Sequence, residues 1–312
     1  MLIAHLNGLL ILRNKKVNLK SSKLKQPLRI IQLSDVHIGT RSKSFLQKVV
    51  NRVNELKGDV VCITGDLVDS RGVIQTVGSQ DDIHKLDEKS ELQPYPIMSP
   101  LSNLTAKFGV YFVLGNHDLW CGREGVVKMI QHFPNIHFLS NEYVDITLKE
   151  QQTSDLNENQ YNKIRVIGIE DGSADQFNEY YNSIIKPDSP FLLSETNESP
   201  YTVILHHRPH KKVWLEAMNQ LKGDLFLAGH THNGQIFPVH PVVYFQFPHT
   251  TGLLSTKDNK NQQSDIKSNQ NVEDQSYSFT RHMYVSSGTG TFATPARSSG
   301  FSEITIITIT PE

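Results

Sequence analysis

The chain reads as an α/β protein, and three observations carry that reading. From Leu28 onward, short apolar runs rich in β-branched residues alternate with segments of helical period. Five polar strings of Asp, His, Asn and Gly each begin where one of those runs stops. The length of 312 residues, 38% of them hydrophobic and 20% charged, allows one large domain with a sizeable core.

The first twelve residues, MLIAHLNGLLIL, are mostly apolar. A membrane-spanning helix needs about 20 such residues, and Arg13, Lys15 and Lys16 end the run before that. The basic residues follow the apolar run instead of preceding it, and no small-residue cleavage site is present, so the pattern is not that of a signal peptide. Two readings stay open. One is an ordinary terminal strand or helix; the other is a short interfacial anchor, with Arg13, Lys15, Lys16, Lys20, Lys23 and Lys25 facing anionic lipid. Residues 1–27 are therefore set apart as a terminal segment, and residues 28–312 as a single domain. Cys62 and Cys121 are too few for a disulfide framework, which fits a cytoplasmic or peripheral-membrane location.

Within the domain the apolar runs are Leu28 to Leu33, Val60 to Thr64, Val110 to Leu114, Ile164 to Ile169, Thr202 to Leu205, Leu225 to Ala228 and Met283 to Ser286. Between the first two, Phe45, Leu46, Val49, Val50, Val53 and Leu56 recur at helical spacing, and the Lys57-Gly58-Asp59 turn ends that helix, completing a βαβ unit. Ile304 to Ile309 interleaves Thr with Ile, which predicts a strand with one wetter face closing a sheet. Glu150 to Asn162 is polar between two strand-like runs and reads as a long hairpin loop. Ser255 to Phe279 is rich in Asn, Gln, Ser, Asp and Lys and reads as a mobile insertion.

The charge balance of 31 Lys+Arg against 32 Asp+Glu excludes disordered, fibrous and polybasic classes, and nothing indicates a nucleic-acid partner. A net charge of -1 also predicts little long-range steering of an anionic substrate, so a local field must do that work. The chemistry lies in the five strings: Ser34-Asp35-Val36-His37, Gly65-Asp66-Leu67-Val68-Asp69, Gly115-Asn116-His117-Asp118, His206-His207-Arg208-Pro209 and Gly229-His230-Thr231-His232. Ligands in open α/β sheets bind outside the carboxyl ends of strands, so strings placed there should converge on one crevice. The glycines at 65, 115 and 229 would let the chain turn sharply and approach an ion closely. Asp, His and Asn without Cys form an oxygen and nitrogen donor set suited to Mn, Fe or Zn. There are more such groups than the four or so that one zinc ion takes. The surplus argues for two divalent ions bridged by a carboxylate such as Asp66, an arrangement suited to hydrolysis of a phosphate ester.

Any one string occurs by chance, but their order does not. Asp-x-His, Gly-Asp-x-x-Asp, Gly-Asn-His-Asp, a later His and Gly-His-x-His together resemble the calcineurin-like metallophosphoesterase superfamily, over residues 28 to 310. The string from Gly229 to Pro238, with Met283 to Gly290 and Ser302 to Thr305, is similar to its YkuE/YaeI-like phosphodiesterase subfamily, with Asn233 standing where that group usually has Gly. The resemblance implies a four-layer fold, two facing β-sheets with helices outside. It implies that Asp35, His37 and His232 ligate one ion, that Asn116, His207 and His230 ligate the second, and that Asp66 bridges both. Either His206 or His207 could be the fourth-motif ligand; the family places its His two positions before the Pro, which selects His207. His117 resembles the family's catalytic His, which contacts the phosphate and protonates the leaving oxygen, with Asp118 orienting it by a hydrogen bond. The implied nucleophile is a hydroxide bridging the ions.

Asp69 is kept outside the ligand set, as equally suited to fixing its loop. Arg208, His210 and Arg297 could meet substrate phosphate but are first read as structural, as is the Gly288-Thr289-Gly290 turn. Trp120 and Trp214 are read as core or pocket-wall residues and Cys121 as packed. The leading functional reading is hydrolysis of a phosphodiester, lipid-linked or nucleotide-containing. The alternatives are a phosphomonoesterase or phosphoprotein phosphatase on the same metals, and a scaffold without catalysis, against which the intact His117 and ligand set argue. The oligomeric state is not legible.

Overall fold

The computed structural model describes residues 2–74, 95–148, 162–172, 176–185, 199–257 and 280–312. In chain order these form helix α1 (Leu2–Leu10), strands β1 (Leu12–Ser21) and β2 (Leu28–Leu33), helix α2 (Lys43–Leu56), strand β3 (Val60–Thr64), the short helix α3 (Arg71–Ile74), strand β4 (Val110–Val113), helix α4 (Asn116–Gln131) and strands β5 (Ile136–Phe138), β6 (Glu142–Leu148) and β7 (Asn162–Gly168). Helix α5 (Phe177–Ile184), strand β8 (Tyr201–Leu205), helix α6 (Lys211–Gln220), strand β9 (Leu225–Ala228), helix α7 (Val239–Gln246) and strands β10 (Gly252–Lys257), β11 (Thr280–Val285) and β12 (Ser302–Pro311) follow.

The strands make two six-stranded sheets, in the orders β1-β12-β2-β3-β4-β5 and β10-β11-β9-β8-β7-β6. In each, inner strands run parallel, β2, β3 and β4 in the first and β7, β8, β9 and β11 in the second, and the five polar strings follow β2, β3, β4, β8 and β9. Three apolar clusters explain the layering. One lies between the first sheet and α2 and α4, around Ile31, Val50 and Met129. The second lies between the two sheets, around Ile30, Cys62, Val166 and Leu205. The third lies between the second sheet and α5 and α6, around Phe177, Trp214 and Met218. Strands apolar along their whole length are the ones buried on both faces, as β3, β8 and β9 are.

All seven apolar runs named from the sequence lie in strands, with ends displaced by a few residues at most. Helix α2 starts where Ser42 Oγ accepts the Phe45 amide and buries Leu46, Val49, Val50 and Val53. It ends at the expected turn, but Lys57 rather than Gly58 takes the left-handed conformation, at φ 50°. Gly58 is needed for space instead, since a Cβ there would stand 2.5 Å from Ile31 Cγ1.

Three expectations change. The boundary at residue 28 does not hold, because β1 pairs in parallel with β12 over ten residues and buries Val17 and Leu19 in the inter-sheet core. Lys23, counted among cations facing lipid, is buried and ion-paired to Asp224 at 2.8 Å. Strand β12 neither closes the sheet nor has a wet face along its length: it sits between β1 and β2 with Thr305 buried and its hydroxyl bonded to Glu303. β6 and β7 pair antiparallel as a hairpin, and most of the 150–162 connection lies outside the described residues. Ser255 to Lys257, at the start of the expected insertion, belong to β10, and 258–279 lie outside the described residues. Among the described residues no helix is long and apolar enough to cross a membrane.

Deleting residues 1–21 uncovers the β12 edge and the core positions of Val17 and Leu19, each worth about 1.5–3 kcal/mol. The thermal midpoint should fall by roughly 10 °C; calorimetry that finds it unchanged would restore the boundary at residue 28.

Candidate metal centre

The parallel strands of both sheets end on one side of the sandwich, and the five strings occupy the loops there. Asp35 and His37 follow β2, Asp66 and Asp69 follow β3, Asn116 and His117 open α4 after β4, His207 follows β8, and His230 and His232 follow β9. The loops are tied across the seam between the sheets. Asp35 N donates to Gly65 O at 3.0 Å and His37 N to Asp66 O at 3.1 Å. Gln32 Nε2 donates to Ala228 O in the opposite sheet at 2.9 Å. His207 Nδ1 lies 2.8 Å from Thr64 O, which makes it a donor there, and Nε2 faces Asp66 Oδ2 at 3.0 Å, where without a cation it donates to the carboxylate.

The backbone of this site is unusual. Asp35, His37, Asp66, His230 and His232 all have positive φ, between 48° and 72°, a region that non-glycine residues enter rarely and at a cost of order 1–3 kcal/mol each. Gly65 is left-handed as well, at φ 84°. Gly115 and Gly229 serve close approach instead: a Cβ at Gly115 would strike Asp66 Oδ1, and one at Gly229 would strike Ser34 Oγ and Asp35 Oδ2.

Among the described residues three groups bring ligand atoms to within 4.8 Å of one another: Asp35 with His37 and His232, Asp66 with His207 and His230, and His37 with Asp69 and His117. The first two hold the Asp and His residues that the sequence assigned to the two ions, and Asn116, assigned to the second, opens α4 next to His117. Its side chain is buried, and Asn116 Oδ1 has no hydrogen-bond partner. Asp66 Oδ2 reaches both sides, 3.0 Å from His207 Nε2 and 3.9 Å from His37 Nε2. His37 Nε2 and His232 Nε2 face each other at 2.9 Å with Asp35 Oδ1 3.3 Å from the latter. Converging imidazole nitrogens and carboxylate oxygens, with an orphaned amide oxygen beside them, are the donor chemistry a divalent cation needs.

Electrostatics agree with that use. Burial, with the charge of His207 added, pulls the His230 imidazole down to about 2. Burial and His37 hold His232 well below its ordinary value. Both are thus neutral, with lone pairs available. Burial pushes the Asp35 carboxyl up, and the charge of Asp66 adds to it. Burial also acts on Asp66, but His207 overcomes it and holds that carboxylate ionised. Reciprocally, burial depresses His207 and the Asp66 charge more than restores it, to about 10.

These loops and residues match a known pattern. The sequence profile described as calcineurin-like phosphoesterase matches residues 28–234. The chain belongs to the calcineurin-like phosphoesterase family. It is 28% identical over 299 residues to an uncharacterized metallophosphoesterase of Helicobacter pylori, covering 96% of this chain and 64% of that protein. It is 30% identical over 287 residues to a transmembrane protein with metallophosphoesterase domain from Danio rerio, covering 90% of this chain and 53% of that one. With YkuE of Bacillus subtilis, an uncharacterized metallophosphoesterase, it shares 23% identity over 286 residues, 90% of this chain and 78% of the relative. The chain thus spans less than two thirds of the length of the first two.

Within this family member, the orienting partner of His117 is not the one expected. Asp118 points away from the imidazole: Oδ2 accepts the Gly115 amide at 2.9 Å, capping α4, and Oδ1 accepts the Val68 amide at 3.0 Å. Burial and the nearby Asp66 raise its carboxyl to about 7. Asp69 takes the orienting position, with Oδ1 2.6 Å from His117 Nδ1 and Thr40 Oγ1 donating to its other oxygen. Burial lowers the His117 imidazole, but the Asp69 hydrogen bond and the charges of Asp66 and Asp69 outweigh it and raise the net value. The spacing Gly-Asp-x-x-Asp contained this signal, since three residues beyond Asp66 the chain turns back toward the same loop. His206 is buried with Nδ1 3.2 Å from Ile169 O, outside both trios. Arg297 is buried and donates to the carbonyls of His232, Ser287 and Gly290, bracing the loop behind His232. Arg208 lies 3.3 Å from Asp171. Trp214 is in the core, but Trp120 is 62% exposed with its ring 4.6 Å from that of His117, and Phe292 stands 4.9 Å away on another side. Trp120 thus takes the pocket-wall place of its two readings, whereas no motif marked Phe292 as part of the site.

Replacing Asp69 by Asn removes the carboxylate that holds the His117 proton. A raised imidazole keeps its proton to higher pH, and losing the raising partner lowers that limit. In the Asp69→Asn variant, the alkaline limb of the rate profile for phosphate-ester hydrolysis should therefore move to lower pH. A limb that stays in place separates Asp69 from His117.

Proposed function

We propose that the chain is a binuclear, metal-dependent phosphodiesterase. The observation that carries this reading is the meeting of two Asp/His trios at Asp66 with His117 beside both. Asp35, His37 and His232 would hold one divalent ion, and Asn116, His207 and His230 the other, with Asp66 shared between them. The donor set suits Mn, Fe or Zn. Two such ions, when bound, supply positive charge to phosphoryl oxygens and lower the pKa of water.

The remaining work falls to side chains of this chain. His117 engages Asp69 through Nδ1, so Nε2 is the nitrogen left to give a proton to the departing oxygen. Asp118 acts on the loop, holding the amides of Gly115 and Val68 so that Asn116 and His117 project from the first turn of α4. Trp120 and Phe292 flank the His117 ring and limit water around it.

The arginines beside these loops favour a diester over a monoester. A dianionic monoester gains more from a guanidinium clamp than a monoanionic diester does. Arg297 is spent on backbone carbonyls, Arg208 faces Asp171, and Arg41 donates to the Gly8 carbonyl. The same reading places residues 1–25 against a membrane surface, with Arg13, Lys15, Lys16, Lys20 and Lys25 exposed.

Chelator-stripped protein reconstituted in turn with Mn, Fe, Zn, Ni and Mg should cleave a chromogenic phosphodiester faster than the matching monoester. The reverse order of rates supports the phosphatase reading, and no cleavage with any metal supports the scaffold. In the same assay His117→Ala should lower turnover by roughly two to four orders of magnitude at unchanged metal content; full turnover removes His117 from proton transfer. Asp66→Asn should reduce occupancy at both positions together when metal content is measured, and loss of only one ion contradicts the shared ligand.

A further inference from the structure

From Leu225 to Thr256 the sequence contains no Asp, Glu, Lys or Arg. Part of this stretch is core strand, but the segment around α7 is turned outward. Phe245 is 91% exposed, Phe237 74% and Val242 67%, and no residue of α7 is buried. A helix on a water-soluble surface normally buries one apolar stripe and shows a polar face; α7 does neither. Isolated exposed apolar residues need no explanation, but a contiguous set on one knuckle marks an interaction surface.

This knuckle adjoins the metal centre. Phe247, just after α7, is buried with its ring 5.2 Å from that of His230. On the other side, Phe237 N donates to Ser298 Oγ at 2.8 Å, and the amides of Ser298 and Ser299 donate to Gln235 O. The same 295–299 loop holds α1, because Arg297 N donates to Ala4 O at 2.8 Å and Gly8 packs on the Pro295 carbonyl. Helix α1 exposes Leu6, Leu9 and Leu10. Two apolar helices from distant parts of the chain are therefore fastened to one loop, and Phe292, bonded through its amide to Gln235 Oε1, connects that loop to the His117 ring.

The flanking charges identify the occupant. Neither helix carries a carboxylate. Exposed Lys48 stands at the end of α1, where its Nζ donates to Leu10 O at 3.3 Å. Exposed Lys211 follows His210, whose ring lies 5.2 Å from that of Phe247. Apolar faces bordered by cations match the boundary between acyl chains and anionic headgroups.

We propose that α1, Phe237 and α7 rest together in the surface of an anionic phospholipid bilayer, so that the adjoining metal centre receives phosphodiesters carried by lipid. This rests on the phosphodiesterase reading, which it deepens by naming where the substrate is held. The site then works at a two-dimensional surface, and the modest net charge of -1 is no handicap, because the bilayer contact, not a long-range field, brings enzyme and substrate together.

The test uses the full chain with metals restored and the double variant Val242→Asp/Phe245→Asp, whose positions touch neither trio. Cosedimentation is measured with phosphatidylcholine vesicles, with and without phosphatidylglycerol. Hydrolysis is measured on phosphatidyl-p-nitrophenol in those vesicles and on a soluble nitrophenyl phosphodiester; in both, water adds to phosphorus as the P–O bond to nitrophenolate breaks. The unmodified chain should sediment with the anionic vesicles, and the double variant should partition roughly ten-fold less or weaker still. The variant should also cleave the vesicle-borne ester more slowly by a similar factor, at an unchanged rate on the soluble ester. Equal partitioning of both proteins overturns the proposal, as does an unmodified chain that stays in the supernatant. A dimer that the double variant dissociates overturns it too, by assigning the face to a second copy. If neither protein cleaves the soluble ester, the phosphodiesterase reading fails, while the partitioning result still decides the bilayer contact.

Discussion

Asp35 and Asp66 are buried at the seam between the two sheets, and keeping two carboxylates out of water governs the arrangement around them. Each is met by a neighbouring loop. Both oxygens of Asp35 accept the His230 amide at 3.1 Å, and Asp66 Oδ1 accepts the His117 amide at 2.8 Å. Those bonds reach from one strand end to the next, so each acid fixes the backbone of a histidine belonging to a different motif. The imidazoles then converge on the acids' remaining oxygens. Burying such a set is stable only when charge is matched, and a cation at each trio would complete what His207 begins with Asp66.

That constraint explains why the loops adopt backbone conformations that are costly in isolation. Five of the residues in the trios sit at positive φ, and the surrounding bonds over-determine them: the loop after β2 runs beside the loop after β3 through three amide–carbonyl bonds, from Asp35, His37 and Ile38. Side-chain volume is excluded where the loops cross, at Gly65, Gly115 and Gly229. The strain and the close packing are thus two sides of one requirement, which is to bring donors from both sheets to within ligand distance of one another.

The surface beside the site has a different logic. The polar core of the centre is bordered by Trp120, Phe292 and Phe247, and beyond them by the exposed residues of α1 and α7. A single loop, 292–299, carries Phe292 toward His117, Arg297 behind His232 and the contacts to both helices. Whatever occupies the apolar face is therefore mechanically close to the residues proposed for proton transfer and metal binding.

The amino-acid sequence determined a great deal by itself. Apolar runs located the inner strands, because strands buried on both faces leave an unbroken hydrophobic record, and the helical period of Phe45 to Leu56 marked α2 for the same reason. The ligand candidates were legible because Asp, His and Asn at strand ends have no role in packing a core. Tertiary structure decided what spacing cannot encode. Asp69 rather than Asp118 faces His117, because three residues after Gly115 is the capping position of α4, where the backbone claims the carboxylate. Residues 12–21 joined the sheet although their run of Arg and Lys left a lipid-facing anchor equally open, since the partner strand β12 lies at the far end of the chain. Trp120, Phe292 and the apolar knuckle of α7 gained their meaning only from neighbours far away in sequence. Periodicity reports burial within one element, whereas a site is a relation among several.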